Sequence, residues 1–128
     1  MHKFGGASLA DSSAVRHALQ IVQAHRQDPL VVVVSAMAGV TDAIFTLAHK
    51  ASSGDEGTVT TLVSQLRSRH EEVARGLVPE GRSQAAALDQ VAELFRELEG
   101  LLHGLPAQRD VPAQAIDMLV AQGERLSA

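Results

Sequence analysis

The feature that most constrains the fold of this chain is the run Leu30-Val31-Val32-Val33-Val34. β-branched residues favour strands, and a run without polar alternation is typical of a strand buried on both faces, as in a parallel sheet covered by helices. An earlier short strand is predicted from His2 to Phe4. Between the two strands, apolar residues at helical spacing predict a helix that starts at Asp11 or Ser12 and ends near Asp28-Pro29. Strand, helix and strand together predict a right-handed βαβ unit.

The rest of the chain predicts helices. One is expected at residues 40–51, with Ile44, Leu47 and Ala48 facing inward. Two longer helices are expected to pack antiparallel through the turn Pro79-Glu80-Gly81, and Pro112 is placed to open a last helix. The predicted organisation is a βαβα unit at 1–57, a helical hairpin at 58–105, and a connector with a helix at 106–128. The apolar positions of the last three helices are Val59, Leu62, Val63, Leu66 and Val73, then Leu88, Val91, Phe95, Leu98, Leu102 and Leu105, then Ile116, Leu119 and Val120.

Composition excludes several classes of protein. The 128 residues suffice for one domain with a core. A formal net charge of −4 without clustered Lys or Arg argues against nucleic acid or an anionic membrane as a partner. With no cysteine, disulfides and thiolate metal sites are excluded, and the six histidines do not have the spacing of a metal site. No signal peptide or membrane-length apolar segment is recognisable, so a cytoplasmic protein is expected.

A glycine pair after the first strand is the first candidate site. Gly5 and Gly6 would let backbone N–H groups approach an anion, and the following helix would direct its positive end to the same place. Lys3 precedes the loop and could reach a phosphate as a point charge. The spacing matches neither a Walker loop nor a dinucleotide-binding fingerprint. A plain turn is the alternative.

Three further polar residues lie at positions suited to ligand binding. Ser35 and Thr41 flank the loop after the second strand, where parallel sheets bind ligands, although Thr41 could simply cap its helix. Glu124 lies near the end of the last helix, where a carboxylate is disfavoured by the helix dipole unless it has a partner. That partner would be Arg125 or the ammonium group of a substrate.

Three segments together resemble the aspartokinases. Lys3-Phe4-Gly5-Gly6-Ala7-Ser8 resembles their opening motif K-F-G-G-T-S. The ten residues from Val33 to Asp42 resemble V-V-S-A-x-x-G-[IV]-T-[DN], and the six from Gly123 to Ala128 resemble G-E-x-[LM]-S. The three occur in the family's order and span the chain from end to end.

The resemblance implies an α/β amino-acid-kinase fold, of which this chain would be the N-terminal part, and transfer of the ATP γ-phosphate to the β-carboxylate of L-aspartate. It implies that Lys3 is catalytic and that Lys3, Gly5, Gly6 and Ser8 bind the ATP phosphates, with Mg²⁺ held through the nucleotide. It also implies no metal held by the chain itself, and a homo-oligomer for the full-length enzyme. The residues implied to bind aspartate are Ser35, Thr41 and Glu124.

Two departures from the family pattern stand out. Ala7 replaces the usual threonine, which removes one hydroxyl from the loop. The family's later G-R-G-G-S-D segment is not found in the chain, so the 128 residues alone are expected to be inactive. The helices at 58–105 also resemble the insertion of aspartokinases fused to homoserine dehydrogenase. Two alternatives are another amino-acid kinase, of the carbamate or acetylglutamate type, and a non-catalytic helical interaction module.

Overall fold

Two parallel strands lie at one edge of the fold, and a loop that contains glycine follows each of them, at residues 5–11 and 35–39. The computed structural model describes residues 1–27, 29–105, 107 and 111–128. Strand β1 (His2–Phe4) pairs with β2 (Val32–Val34) in parallel, with Lys3 opposite Val33. Helix α1 (Ser12–Ala24) connects them and begins at Asp11, whose carboxylate accepts the Ala14 N–H at 2.9 Å. The predicted βαβ unit is therefore confirmed, with a 3₁₀ helix at Gly6–Leu9 in place of an open loop.

Two details of this unit differ from the prediction. Helix α1 ends at Ala24, with turn geometry in the next three residues, so the predicted end near Asp28-Pro29 is too late; Asp28 itself lies outside the described residues. Strand β2 has three residues instead of five. Burial on both faces is wrong for this chain, since Val31, Val32 and Val33 are 61%, 42% and 41% exposed. The physical reason is that the described sheet has only two strands and the described helices pack mainly on one another, so β2 lacks the helical cover that a larger parallel sheet has on both faces.

Four helices form the rest of the described structure: α2 (Val40–Ser52), α3 (Glu56–Leu77), α4 (Arg82–His103) and α5 (Ala113–Arg125). Helices α3 and α4 pack as a hairpin across residues 78–81, and α5 begins directly after Pro112, as predicted. Most of the predicted connector falls at positions 106 and 108–110, which lie outside the described residues. Among the helices described, none combines the length and the apolar character that crossing a membrane requires.

Helix α2 is the centre of the core, because α3, α4 and α5 all pack against it. Its inward side chains Ile44, Leu47 and Ala48 are fully buried, as the helical spacing predicted. Gly123 lets α5 approach α2 closely: a Cβ at this position would lie 2.4 Å from Ile44 Cδ1 and 3.3 Å from Val40 Cγ1. The glycine of the third motif is thus explained by packing, and it brings the end of α5 to the start of α2.

Candidate functional site

The first loop, residues 5–11 between β1 and α1, has polar groups that are open to solvent. Lys3 and Phe4 lie on opposite faces of β1, which leaves Phe4 buried and Lys3 exposed. In the described part of the chain, the Lys3 ammonium group has no ion-pair partner. A Cβ at Gly5 would meet nothing within 4 Å, so the space beside it is open. The Ser8 N–H donates to the Gly5 carbonyl at 2.9 Å, and the exposed Ser8 side chain lies alongside.

Gly6 joins the first loop to the second. A Cβ at Gly6 would lie 3.2 Å from the Ala36 carbonyl oxygen and 3.4 Å from both the Cα and the N of Ala38. These contacts are with backbone, which cannot move aside as a flexible side chain can. The glycine therefore permits an approach of the two loops that a larger residue would oppose.

The second loop, residues 35–39 between β2 and α2, carries Ser35 and leads to Thr41 in the first turn of α2. The Ser35 N–H donates to the Phe4 carbonyl at 3.1 Å and extends the strand pairing, while its half-buried hydroxyl donates to the Ala36 carbonyl at 3.2 Å. Gly39 has a φ of +78° and is the N-cap of α2. The alternative that Thr41 caps this helix is therefore wrong, because the cap lies two residues earlier. The half-buried Thr41 hydroxyl makes no hydrogen bond within the described part.

The third segment closes on the second loop from α5. The Met37 N–H donates to the Ser127 hydroxyl at 3.0 Å, a bond that joins residues 90 positions apart. Glu124, one residue after Gly123, is exposed. The alternative that Arg125 is its partner is wrong, because the Arg125 guanidinium donates to Glu97 at 2.6 Å and to the Gln122 side-chain oxygen at 2.7 Å. In the described part of the chain, no cation pairs with the Glu124 carboxylate.

Two neighbouring residues of α3 contribute to this region without any signal in the three motifs. The half-buried Arg69 guanidinium donates to the Ala38 carbonyl at 2.7 Å and to the Ala10 carbonyl at 2.8 Å, and thus contacts both loops. His70 is 3% exposed and faces a cavity of about 160 Å³ that Leu9, Met37 and Ser127 also line. The local sequence around Arg69 and His70 does not predict these contacts. The residues that they contact lie far away along the chain, and Arg69 bonds to backbone carbonyls, which have no sequence signature.

The histidine has an unusual electrostatic environment. A carbonyl can only accept, so the 2.7 Å contact of His70 Nδ1 with the Leu66 oxygen places the proton on Nδ1 and leaves Nε2 as a buried acceptor with no partner among the described residues. Desolvation lowers the pKa of His70, and the nearby positive charge of Arg69 acts in the same direction. At the other end of the site, hydrogen bonds from Arg125 and Gln122 hold the pKa of Glu97 below its usual value.

The arrangement brings all the predicted site segments to one end of the fold. Lys3, Gly5, Gly6 and Ser8 lie on the first loop or beside it, Ser35 and Thr41 on or beside the second, and Glu124 on the helix that closes against the second. Donors for anions and one carboxylate without an ion-pair partner are thus gathered from three separate parts of the sequence. Within residues 1–27, 29–105, 107 and 111–128, no three His, Asp or Glu side chains gather in a way that could hold a metal ion.

Comparisons with known proteins point the same way. The family model described as "Amino acid kinase family" matches residues 1–128. The chain is 30% identical over 128 residues to bifunctional aspartokinase/homoserine dehydrogenase 1 of Zea mays, which covers all of this chain and 14% of that protein. It is 34% identical over 99 residues to an aspartokinase of Chlamydia trachomatis, covering 77% of this chain and 21% of that protein.

Solved structures agree in fold. Aspartokinase III of Escherichia coli in complex with lysine and aspartate superposes with a TM-score of 0.78 at 26% identity, covering 98% of this chain and 26% of that one. The same enzyme with aspartate and ADP gives a TM-score of 0.76 at 26% identity and the same coverage. The predicted fold class, the N-terminal part of an amino-acid-kinase fold, is therefore confirmed. The chain spans about a quarter or less of the length of these relatives.

Proposed function

Because the chain belongs to the amino acid kinase family, we propose that the protein carrying it is an aspartate kinase, which transfers the γ-phosphoryl group of ATP to the β-carboxylate of L-aspartate. The reaction would be the first step towards lysine, threonine and methionine. We further propose a cytoplasmic, homo-oligomeric enzyme. The relatives at about 30% identity are aspartokinases, alone or fused to homoserine dehydrogenase, and this likeness favours aspartate over carbamate or acetylglutamate as the acceptor.

The observation that carries the proposal is the convergence of three segments far apart in sequence. Gly6 packs on the backbone of Ala36 and Ala38, and the Met37 N–H donates to Ser127 at 3.0 Å. Chance resemblance of short motifs would not require them to meet in space. Their meeting supports a single site built from all three.

In the proposed site, the first loop receives the phosphates. Phosphoryl transfer depends mainly on positioning and on neutralising charge, since the transferred group needs little covalent help from the protein. The Lys3 ammonium group would meet the charge on the transferring phosphate, and N–H groups at Gly5 and Gly6 would hold phosphate oxygens, with Ser8 beside them. Mg²⁺ would arrive bound to the nucleotide, and we assign no side chain of this chain to it.

The second loop and α5 would hold the amino acid. Aspartate brings one ammonium group and two carboxylates, and the first loop with Lys3 supplies only positive potential. Glu124, exposed and without a cation partner in the described residues, would receive the ammonium group. The Thr41 hydroxyl, which makes no bond within the described part, and Ser35 would orient the carboxylates.

Steady-state kinetics of Glu124→Gln in the full-length gene product test this assignment. Glutamine keeps the size and one acceptor but removes the charge. A charge-assisted hydrogen bond is worth about 1.5–3 kcal/mol, so the aspartate KM should rise about 10- to 150-fold while the ATP KM stays nearly unchanged. An unchanged aspartate KM would remove Glu124 from the site. A wild-type enzyme that phosphorylates carbamate or acetylglutamate, but not aspartate, would overturn the proposed function itself.

A further inference from the structure

A single side chain of the helical hairpin contacts both loops of the site. Arg69 lies on α3 and reaches the Ala38 carbonyl at 2.7 Å and the Ala10 carbonyl at 2.8 Å through its two terminal nitrogens. Ala38 directly precedes Gly39, the cap of α2, and Ala10 follows the 3₁₀ helix of the first loop. One rigid planar group thus joins the end of one loop to the end of the other.

The neighbouring arginines of α3 behave differently. Arg67 and Arg75 both pair with Glu71, at 2.9 and 3.2 Å, and are about half exposed. In the part of the chain that the structure describes, Arg69 forms no ion pair with a carboxylate, and it donates hydrogen bonds to backbone carbonyls 31 and 59 positions away. Surface pairs such as those of Arg67 contribute little to stability, whereas a charged donor bonded to buried or half-buried carbonyls contributes more.

The geometry suits a guanidinium group specifically. Its two terminal nitrogens are held in one plane at a fixed separation, so two acceptors bonded to them have a fixed separation too. A lysine ammonium group is a point charge on a flexible stem and would not fix two carbonyls in this way. The two loops also touch where Gly6 packs on the backbone of Ala36 and Ala38. That contact lets the loops approach closely but does not fix their relative orientation.

We propose that Arg69 is a positioning residue that holds the first and the second loop in the mutual arrangement required for phosphoryl transfer. This rests on the proposed function for its catalytic consequence. Reaction between two bound substrates requires near contact of the reacting atoms, and a misplacement of about 1 Å can cost about 100-fold in rate. The helical hairpin would therefore affect the reaction through Arg69, although neither of its helices contains a residue that was predicted to bind a substrate.

Arg69→Ala in the full-length gene product tests the catalytic part, with Arg67→Ala as the matched control two positions away on the same helix. For Arg69→Ala we expect kcat to fall about 10- to 100-fold, with each KM within about threefold of wild type, because substrate contacts remain but their alignment is lost. Millimolar guanidinium should restore part of the rate. Arg67→Ala should leave kcat and both KM values unchanged. Equal behaviour of the two variants, or a loss in KM alone, would overturn the proposal.

Hydrogen exchange provides a readout that does not depend on activity. Backbone amides at residues 6–12 and 35–41 should exchange faster in Arg69→Ala than in wild type or Arg67→Ala, and amides within α4 should not change. If the alanine variant does not fold, Arg69→Lys should show the same local change and a smaller loss of kcat. A wild-type enzyme without aspartate kinase activity would defeat the proposed function, and exchange would then decide separately whether Arg69 holds the loops. Unchanged exchange in both loops would refute that role.

Discussion

Lys3 is the middle residue of β1 and has an exposed side chain whose ammonium group has no ion-pair partner in the described residues. If it meets charge that develops on the transferring phosphate, Lys3→Ala in the full-length enzyme should lower kcat far more than it raises the aspartate KM. Loss of such a contact costs about 3 kcal/mol, or about 100-fold in rate. Lys50→Ala is the control, since Lys50 pairs with Asp55 at 3.1 Å away from the loops. A near-normal kcat would show Lys3 to be only a surface residue of the strand.

The buried His70 gives the fold a pH dependence of its own. Because desolvation lowers the pKa of His70, the folded chain binds this proton less readily than the unfolded chain does. The neutral His70 therefore costs no stability above the pKa of about 6.5 that it has in the unfolded chain. The free energy of unfolding decreases as the pH falls from there through the lower pKa of the folded chain. The pKa values of Asp55, Glu71 and Glu97 are lowered too, so their contributions to the free energy of unfolding change with pH only below about pH 4.5. A change in stability between about pH 5 and 6.5 is therefore assigned to His70.

We expect the melting temperature of the wild-type chain to fall between pH 7.5 and pH 5.5, and this dependence to be strongly reduced in His70→Leu. Leucine fills the site without a titratable group, and the partnerless Nε2 is removed with it. His103→Leu is the matched control: its Nδ1 makes the same contact with a carbonyl four residues earlier, the Glu99 oxygen at 2.7 Å, but its ring is exposed. A pH profile that survives in His70→Leu would refute the assignment.

At the scale of elements, the contact between α5 and α2 depends on the absence of a side chain at Gly123. An alanine Cβ would lie 2.4 Å from Ile44 Cδ1, and Ile44 is fully buried and has little room to move. Overpacking of this kind costs about 1–3 kcal/mol, which exceeds the gain of up to about 1 kcal/mol from replacing a helical glycine by alanine. Gly123→Ala should therefore lower the free energy of unfolding, measured in urea.

Two further variants isolate the clash as the cause. Gly100→Ala, in α4, meets nothing within 4 Å, so it should stabilise the chain by about 0.5–1 kcal/mol. Ile44→Val removes the atom that the new Cβ would strike, so it should cost less in the Gly123→Ala background than in wild type. Additive effects of the two substitutions would mean that the loss at Gly123 has another origin.

The elements themselves were largely predictable from local pattern. Helix α2 was expected at 40–51 and runs to Ser52, because Ile44, Leu47 and Ala48 repeat at helical spacing, whereas its N-cap at Gly39 was not predicted. The exposure of β2 was not predictable in the same way. Apolar β-branched residues predict a strand whose side chains are suited to burial. Whether those side chains are covered depends on the rest of the sheet and on the helices around it, and the described sheet contains only two strands.

The candidate site was predictable as a set of segments but not as a set of contacts. Motif resemblance brought Lys3, Gly5 and Glu124 to attention, and their roles stay predictions. Arg69 and the Arg125–Glu97 pair were missed, since each joins positions that only the tertiary structure makes neighbours. Adjacent charges such as Glu124 and Arg125 are a poor guide on a helix, where side chains three or four residues apart face each other.

For the whole molecule, the uncovered face of β2 is the main liability. Val31 and Val33 are two residues apart on one side of the backbone and are 61% and 41% exposed. Open strand edges and apolar patches promote association between chains, so the 128-residue chain should self-associate as its concentration rises. Val31→Thr with Val33→Thr should reduce this in light scattering, because threonine keeps the β-branch and adds a hydroxyl. Met118→Gln, which changes an exposed apolar side chain of α5, should not reduce it. Equal association of the wild type and both variants would show that these valines are not responsible.

The bond between Met37 and Ser127 also decides when the site can exist during folding. It closes a separation of 90 residues, against 31 for the bond between Ala38 and Arg69. Loop-closure entropy makes the longer closure costlier by about 1 kcal/mol, while the α3–α4 hairpin needs only a four-residue connection. The hairpin and the Arg69 contact are therefore expected to form more readily than the contact between Met37 and Ser127. The end of the molecule where the three segments meet is expected to be completed last, when α5 has packed against α2.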